Sequence, residues 1–169
     1  MSIRIAQPED AKSLSQLAQV TFTATYGGLI KKEYLTAYVE KHLSENTIKG
    51  QIEQKSVVYL SAYNDRKIVG YAKLKWDTLP EALKGEKAIE VEKLYVDHSQ
   101  QGKGLGDQLL KQSAIIGIEM GFKWLWLAVW ENNSKAIQWY LKRGFEQRGT
   151  IGFQMADEVH TDYVMVKVL

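Results

Sequence analysis

The stretch from Ile89 to Gly121, IEVEKLYVDHSQQGKGLGDQLLKQSAIIGIEMG, places the tightest limits on what this chain can fold into. Ile89 to Asp97 alternates branched or aromatic residues with charged ones, the period of a half-buried strand. Gln101-Gly102-Lys103-Gly104-Leu105-Gly106 follows, and Leu105, Leu109, Leu110, Ala114, Ile116 and Ile118 then recur at helical spacing. The string therefore predicts a strand, a glycine loop and a helix that Gly121 closes. Glycines at such a junction let backbone N–H groups of the loop and first helical turn converge on one point. The helix dipole adds positive potential there and Lys103 a full charge, so the point favours a phosphate or pyrophosphate.

Spacing separates the kinds of phosphate loop. A Walker loop needs GxxxxGK followed by Ser or Thr, and the chain has no such string. A dinucleotide fingerprint needs GxGxxG, but counting from Gly102 the last glycine position is Asp107. What fits is Gln-x-x-Gly-x-Gly at Gln101, Gly104 and Gly106. The six residues alone leave a plain glycine-rich turn open, and their place between a strand and an amphipathic helix favours a ligand loop.

The rest of the chain supplies a mixed set of elements. Ile3 and Ile5 alternate with Arg4 in a short first strand that ends before Pro8-Glu9-Asp10, a helix start. Leu14, Leu17, Ala18 and Phe22 trace one helical face, broken at Thr25-Tyr26-Gly27-Gly28. Tyr34, Leu35, Tyr38, Val39 and His42 suggest a second helix, and Ser44-Glu45-Asn46-Thr47 the start of a short third one reaching Gln54. Val57 to Tyr63 and Ile68 to Trp76 read as antiparallel strands about a turn at Asn64-Asp65-Arg66-Lys67. Asp77 to Ala88, with Pro80 and Gly85, reads as a loop. Past the glycine-loop unit, Trp124 to Val129 is a strand and Asn133 to Arg143 a helix stopped by Gly144. Phe145–Phe153 and Asp162–Val168 close the chain as a hairpin. The order β-α-α-β-β-β-α-β-α-β-β predicts an α+β fold in one domain, residues 1–169, with helices on both faces of one sheet.

Composition removes several classes of function. Net charge is only +2, with 22 basic residues against 20 acidic ones and no basic run, which argues against nucleic acid. No 18-residue apolar run occurs, so no membrane span is expected, and Ser2-Ile3-Arg4-Ile5 begins a strand and not a signal peptide. The absence of cysteine excludes disulfides, thiolate zinc sites and a cysteine nucleophile, and a cytoplasmic location is the plainest expectation. His42, His98 and His160 lie far apart without metal-ligand spacing, so no metal is expected. The pattern leaves the oligomeric state open, a homodimer included.

A second string, Asn133-Ser134-Lys135-Ala136-Ile137-Gln138-Trp139-Tyr140 followed by Lys142-Arg143-Gly144-Phe145, completes a recognisable pair. Taken alone, Asn133 is a good helix N-cap, Gly144 a good C′ residue, and Tyr140 shares a helix face with Ala136, so capping and packing explain them. Together with the Gln-x-x-Gly-x-Gly loop, however, the N-x-x-A-x-x-x-Y…GF string resembles the GNAT acetyltransferases. The order of elements matches that family from end to end, and with it a mixed, mostly antiparallel central sheet.

The resemblance implies acetyl-CoA as co-substrate, without a metal. Gln101, Gly102, Lys103, Gly104, Leu105, Gly106 and Asp107 would receive its pyrophosphate. Backbone groups of Leu94, Tyr95 and Val96 would hold the pantetheine arm and the acetyl oxygen. Asn133 would hold the arm as well, and Tyr140 would donate the proton to sulfur. Acetyl transfer to an amine also requires that the amine lose a proton. Some family members place a glutamate on the strand before the asparagine, where this chain has Ala128. Glu90 and Glu92 remain, on one face of the strand leading to Leu94, and Glu92 is the nearer candidate for the base. Both acids equally fit binding of a cationic substrate or facing solvent.

Trp130-Glu131-Asn132-Asn133, the ending Phe153-x-Met155-x-Asp157-Glu158-x-x-Thr161-Asp162, and Thr21-Phe22-x-x-Thr25-Tyr26-Gly27 look like the PaiA-type branch of the family, associated with spermidine and spermine. That resemblance implies a polyamine acceptor, with Tyr26, Glu90 and Glu131 on the substrate side and Asp157 and Glu158 near it. A protein N-terminus or another small amine is the alternative acceptor. A non-catalytic acyl-CoA-binding regulatory module is the alternative from another class, and Tyr140 argues against it because a binding module needs no proton donor above sulfur.

Overall fold

The apolar faces read from the sequence reappear as packed elements in a computed structural model, which describes residues 1–155 and 158–169. Asp157 and the side chains of Phe153, Met155 and Glu158 lie outside the described residues, and with them the expected acidic pair at 157–158. The strands are β1 (Ser2–Ile5), β2 (Val57–Asn64), β3 (Lys67–Lys75), β4 (Ala88–Val96), β5 (Trp124–Trp130), β6 (Glu146–Met155) and β7 (Glu158–Val168). The helices are α1 (Ala11–Tyr26), α2 (Lys32–His42), α3 (Glu45–Ile52), α4 (Leu105–Glu119) and α5 (Ser134–Leu141). The sheet runs in the order β1-β2-β3-β4-β5-β7-β6. It is mostly antiparallel, with β4 and β5 parallel. The α+β class with a mostly antiparallel sheet is therefore the observed one.

Several boundaries differ from the sequence reading for local reasons. The short third helix expected from Ser44 is α3, which ends at Ile52 and is capped by Ser44 accepting the Thr47 N–H at 3.3 Å, so three helices separate β1 from β2, one more than the expected element order counts. The expected 77–88 loop contains a 3-10 turn at Glu81–Leu83. The final hairpin is longer than its apolar alternation, since its ladder runs on through Gly152↔Thr161 to Met155↔Glu158. On α4, Leu105, Leu109, Leu110 and Ile116 are buried, whereas Ile118 is 57% exposed and stands off the packed face.

The chain forms two compact units, Met1–Leu74 with Lys93–Ser113, and Lys75–Glu92 with Ala114–Leu169. In the first, Leu14, Leu17, Ala18 and Phe22 of α1, Leu35 of α2 and Ile48 of α3 pack against Tyr59, Ile68 and Tyr71. Successive strand residues point to opposite faces, so Gly70 faces away from Tyr71. A Cβ built on Gly70 would sit 3.2 Å from Leu109 Cδ1, 3.2 Å from the Tyr95 carbonyl and 3.3 Å from Leu105 Cδ2. The missing side chain lets the first turns of α4 lie directly on β3. Helices thus cover both faces of the sheet in this unit.

In the second unit, Leu83 of the 3-10 turn is fully buried with Ala88, Trp126, Val164 and Val166. Burying one leucine is worth about 1.5–3 kcal/mol, enough to hold a three-residue turn in place. Glu86 ties the segment down further, accepting from Trp124 Nε1 at 3.1 Å and from Arg148 Nη2 at 3.1 Å. The β4–β5 ladder covers Ala88↔Trp124, Ile89↔Leu125 and Glu90↔Trp126. Among the described residues, no helix is long and apolar enough to cross a membrane.

Candidate functional site

The sequence-derived residues fall in both units. In the first unit, the glycine loop follows β4 through a 3-10 turn, His98–Gln100, capped by Asp97. Asp97 accepts the Ser99 hydroxyl at 2.7 Å and its N–H at 2.9 Å. Those bonds, with Lys67 at 3.9 Å, hold its carboxyl below the usual range. Gln101 folds back, its Nε2 donating to the Val96 carbonyl at 3.2 Å. Gly102 and Gly104 then take φ of +76° and +77°, a region that residues with a Cβ rarely enter, and an added Cβ would meet nothing within 4 Å at either. Glycine is thus required by the backbone turn and not by crowding within the protein.

The Gly104 carbonyl accepts the Gln108 N–H at 3.1 Å, which makes Gly104 the residue that opens α4. The N–H groups of Leu105, Gly106 and Asp107 therefore lie in the first helical turn, where no carbonyl of the helix itself can accept them. The Leu105 side chain is buried, so its share in any ligand contact is its N–H. Lys103 reaches Gln100 Oε1 at 3.1 Å and stays exposed beside the loop. A cradle of first-turn N–H groups, two left-handed glycines and one lysine suits a pyrophosphate.

Tyr26 and Tyr95 come together in the same unit. Burial first, then Tyr26 and Tyr71, push the Tyr95 phenol well above its usual value, and a Tyr26 hydrogen bond contributes. Tyr95 stacks on Tyr71 at 5.7 Å, and Tyr26 packs on Phe22 at 4.6 Å. A groove of about 680 Å³ lies elsewhere on this unit, between Gln16 of α1, Arg66 of the β2–β3 turn and Gln100. It includes none of the sequence-derived residues.

In the second unit, Glu90 and Glu92 meet on one ammonium group. Lys75 Nζ lies 3.4 Å from Glu90 Oε2 and 3.3 Å from Glu92 Oε1. Burial opposes the Lys75 charge, but the two carboxylates outweigh it and raise its pKa. Lys75 therefore stays a cation and is no base at neutral pH.

Asn133 caps α5, its Oδ1 accepting the Ala136 N–H at 3.2 Å. That leaves the two Nδ2–H donors for another partner. Tyr140 lies two turns along, half-buried, with its ring edge-on to Phe145 at 5.4 Å and to Trp139 at 5.0 Å. Gly144, at φ +81°, ends the helix. Glu131 is exposed, and its N–H donates to the Thr161 carbonyl at 3.0 Å. Burial raises the Asp162 carboxyl, His160 opposing the shift and Glu131 adding to it. Among the described residues, no group of three His, Cys, Asp or Glu side chains could hold a metal ion.

Sequence reasoning did not single out Gly70, which seats the first turns of α4. A glycine inside an otherwise apolar strand was the available signal. Lys75 left no such signal, because its role depends on which strand lies beside β3.

Comparisons with known proteins agree with this arrangement. Residues 17–145 match the profile of the Acetyltransferase (GNAT) family. An uncharacterized N-acetyltransferase of Lactobacillus delbrueckii subsp. lactis is 29% identical over 161 residues, 95% of this chain and 93% of the relative. A spermidine N(1)-acetyltransferase of Thermoplasma acidophilum is 26% identical over 171 residues, 99% and 96% of the two chains. The crystal structure of the PaiA N-acetyltransferase from Thermoplasma acidophilum, in complex with coenzyme A, superimposes with a TM-score of 0.82 over 100% of both chains at 24% identity.

Proposed function

The chain belongs to the GNAT family of acetyltransferases, and from that premise we propose that it moves the acetyl group of acetyl-CoA to a cationic primary amine, a polyamine such as spermidine or spermine. The observation that carries the acceptor class is the carboxylate pair on β4. Glu90 and Glu92 already hold an ammonium group, that of Lys75, and Glu92 stands two residues before Leu94 on the same strand. At ~3.3 Å per residue that is about 7 Å along the strand. The name of the Thermoplasma relative supports the same acceptor.

The pyrophosphate of acetyl-CoA would accept from the N–H groups of Gly104 to Asp107, with Lys103 adding charge. Backbone groups of Leu94 to Val96, the last residues of β4, would pair with the pantetheine amides. The Asn133 Nδ2 group would donate to the same arm. The acceptor nitrogen attacks the thioester carbonyl carbon, and N–H groups of β4 stabilise the oxyanion that forms. The C–S bond breaks as the oxyanion collapses, and Tyr140 gives its proton to the departing thiolate. A phenol hydroxyl positioned at the sulfur can serve as that acid. Before the attack the ammonium gives one proton to Glu92 through water, which frees the nitrogen lone pair, and the second proton, lost from the adduct nitrogen, passes through solvent to restore Tyr140.

The test is an amine panel with acetyl-CoA, following free thiol release. Spermidine and spermine should be acetylated faster than neutral amines and than peptides with a free N-terminus. Transfer to the peptides alone would replace the polyamine reading with an N-terminal one, and thiol release with no amine would leave only the coenzyme site.

A further inference from the structure

The carboxylate pair on β4 is not an empty cation site. We infer that Lys75 is a built-in counter-cation that competes with the acceptor for Glu90 and Glu92 and so sets the charge selectivity of the acceptor site. The inference rests on the reading of those two acids as acceptor ligands.

Three features of the cluster carry it. Lys75 Nζ bridges the two acids at 3.4 Å and 3.3 Å, contacts at which an ammonium shares its charge between both. Its side chain is 23% exposed and that of Glu92 25%, whereas Glu90 is 9% exposed. Lys75 and Glu92 are therefore the members that solvent, and hence a substrate, can reach. The chemistry is also matched, because the lysine side chain is itself a primary alkylammonium on a four-carbon chain, the same group that a polyamine presents.

Lys75 offsets part of the negative charge of the two carboxylates. An arriving ammonium therefore gains a full contact with Glu92 only as Lys75 gives up its own. Lys75 thereby lowers the affinity for every cationic amine while costing a neutral amine little. Selectivity among amines then depends on how well the acceptor's charge replaces that of Lys75.

The experiment is calorimetric titration of spermidine into the coenzyme A-loaded protein, for the parent, Lys75→Met and Lys75→Arg. Lys75→Met keeps an unbranched apolar stem and removes the charge, so spermidine should bind roughly tenfold tighter, the lower range for a close charge pair. The tighter binding should also weaken more steeply with added salt. Lys75→Arg retains the charge and should bind spermidine as the parent does, and coenzyme A affinity should be equal in all three. Equal or weaker spermidine binding by a folded Lys75→Met protein overturns the inference, as does Lys75→Arg behaving like Lys75→Met. If Lys75→Met does not fold, the parent gives the reading: saturating spermidine should move the Lys75 Nζ–H resonance, and an unmoved resonance overturns the inference. A parent that binds spermidine without acetylating it refutes the polyamine function and leaves the Lys75 inference to be decided by the same titrations.

Discussion

Replacing Gly104 with alanine isolates the backbone's part in coenzyme binding. Gly104 sits at φ +77° in an exposed loop, and a Cβ placed on it meets no protein atom within 4 Å. Contact with neighbours therefore contributes nothing to the cost. The left-handed conformation itself contributes about 1–2 kcal/mol for a residue with a Cβ. In the free protein the exposed loop can relax to negative φ, so the melting temperature should fall by no more than ~4 °C. In the complex the first-turn N–H groups must converge, the strained conformation must be restored, and the whole cost appears in binding. Coenzyme A affinity should drop about 5–30-fold, at roughly 1.4 kcal/mol per factor of ten. Gly104→Asn supplies the control, because asparagine enters the left-handed region more readily than alanine and should lose less affinity despite its larger side chain. Isothermal titration with coenzyme A at fixed salt measures all three proteins. A Gly104→Ala protein that binds like the parent, or a Gly104→Asn protein that binds worse than Gly104→Ala, would refute the backbone argument.

Three further outcomes are expected. Tyr140→Phe keeps the ring against Phe145 and Trp139 and removes the hydroxyl. Turnover should fall ~10²–10⁴-fold with coenzyme A affinity unchanged, and a rate within about twofold of the parent, with chemistry rate-limiting, would exclude Tyr140 as the acid. Gly70→Ala puts a methyl group 3.2–3.3 Å from Leu109, Tyr95 and Leu105, so stability should fall by about 1–3 kcal/mol in a thermal melt. An unchanged melt would show that α4 is not clamped on β3. Asp10 is pushed up by burial, but bonds from Arg4, the Gln7 N–H and Tyr63 win and hold its carboxyl low. A folded pKa below the unfolded one means that its contribution is complete above pH ~4 and is lost as pH falls through the folded value. The melting gap between the parent and Asp10→Asn should thus narrow in acid, and a gap independent of pH would contradict that sign.

What the sequence determined by itself is what short-range physics determines. Leu14, Leu17, Ala18 and Phe22 all pack because one helical face needs only the 3.6-residue period, which is written within a few turns of chain. Asn133 and Gly144 bound α5 for the same reason, a cap being satisfied by groups three or four residues away. The strand–glycine loop–helix order, and with it the α+β class, was legible because each part carries its own local signal. The tertiary structure alone decided what depends on which strand lies beside which. Nothing near Lys75 in the chain announces that its ammonium meets Glu90 and Glu92, residues 15 and 17 positions later, since that meeting is fixed by the pairing of β3 with β4. Gly70 shows the same dependence, its lack of a side chain acquiring meaning only when α4 packs on it. The 3-10 turn at Glu81–Leu83, read as loop because Pro80 and Gly85 flank it, is held by Leu83 entering a core made by strands distant in sequence. Local propensity is encoded where it acts, whereas register and long-range burial are properties of the assembled sheet, and most of the charge arrangement around β4 belongs to the second kind.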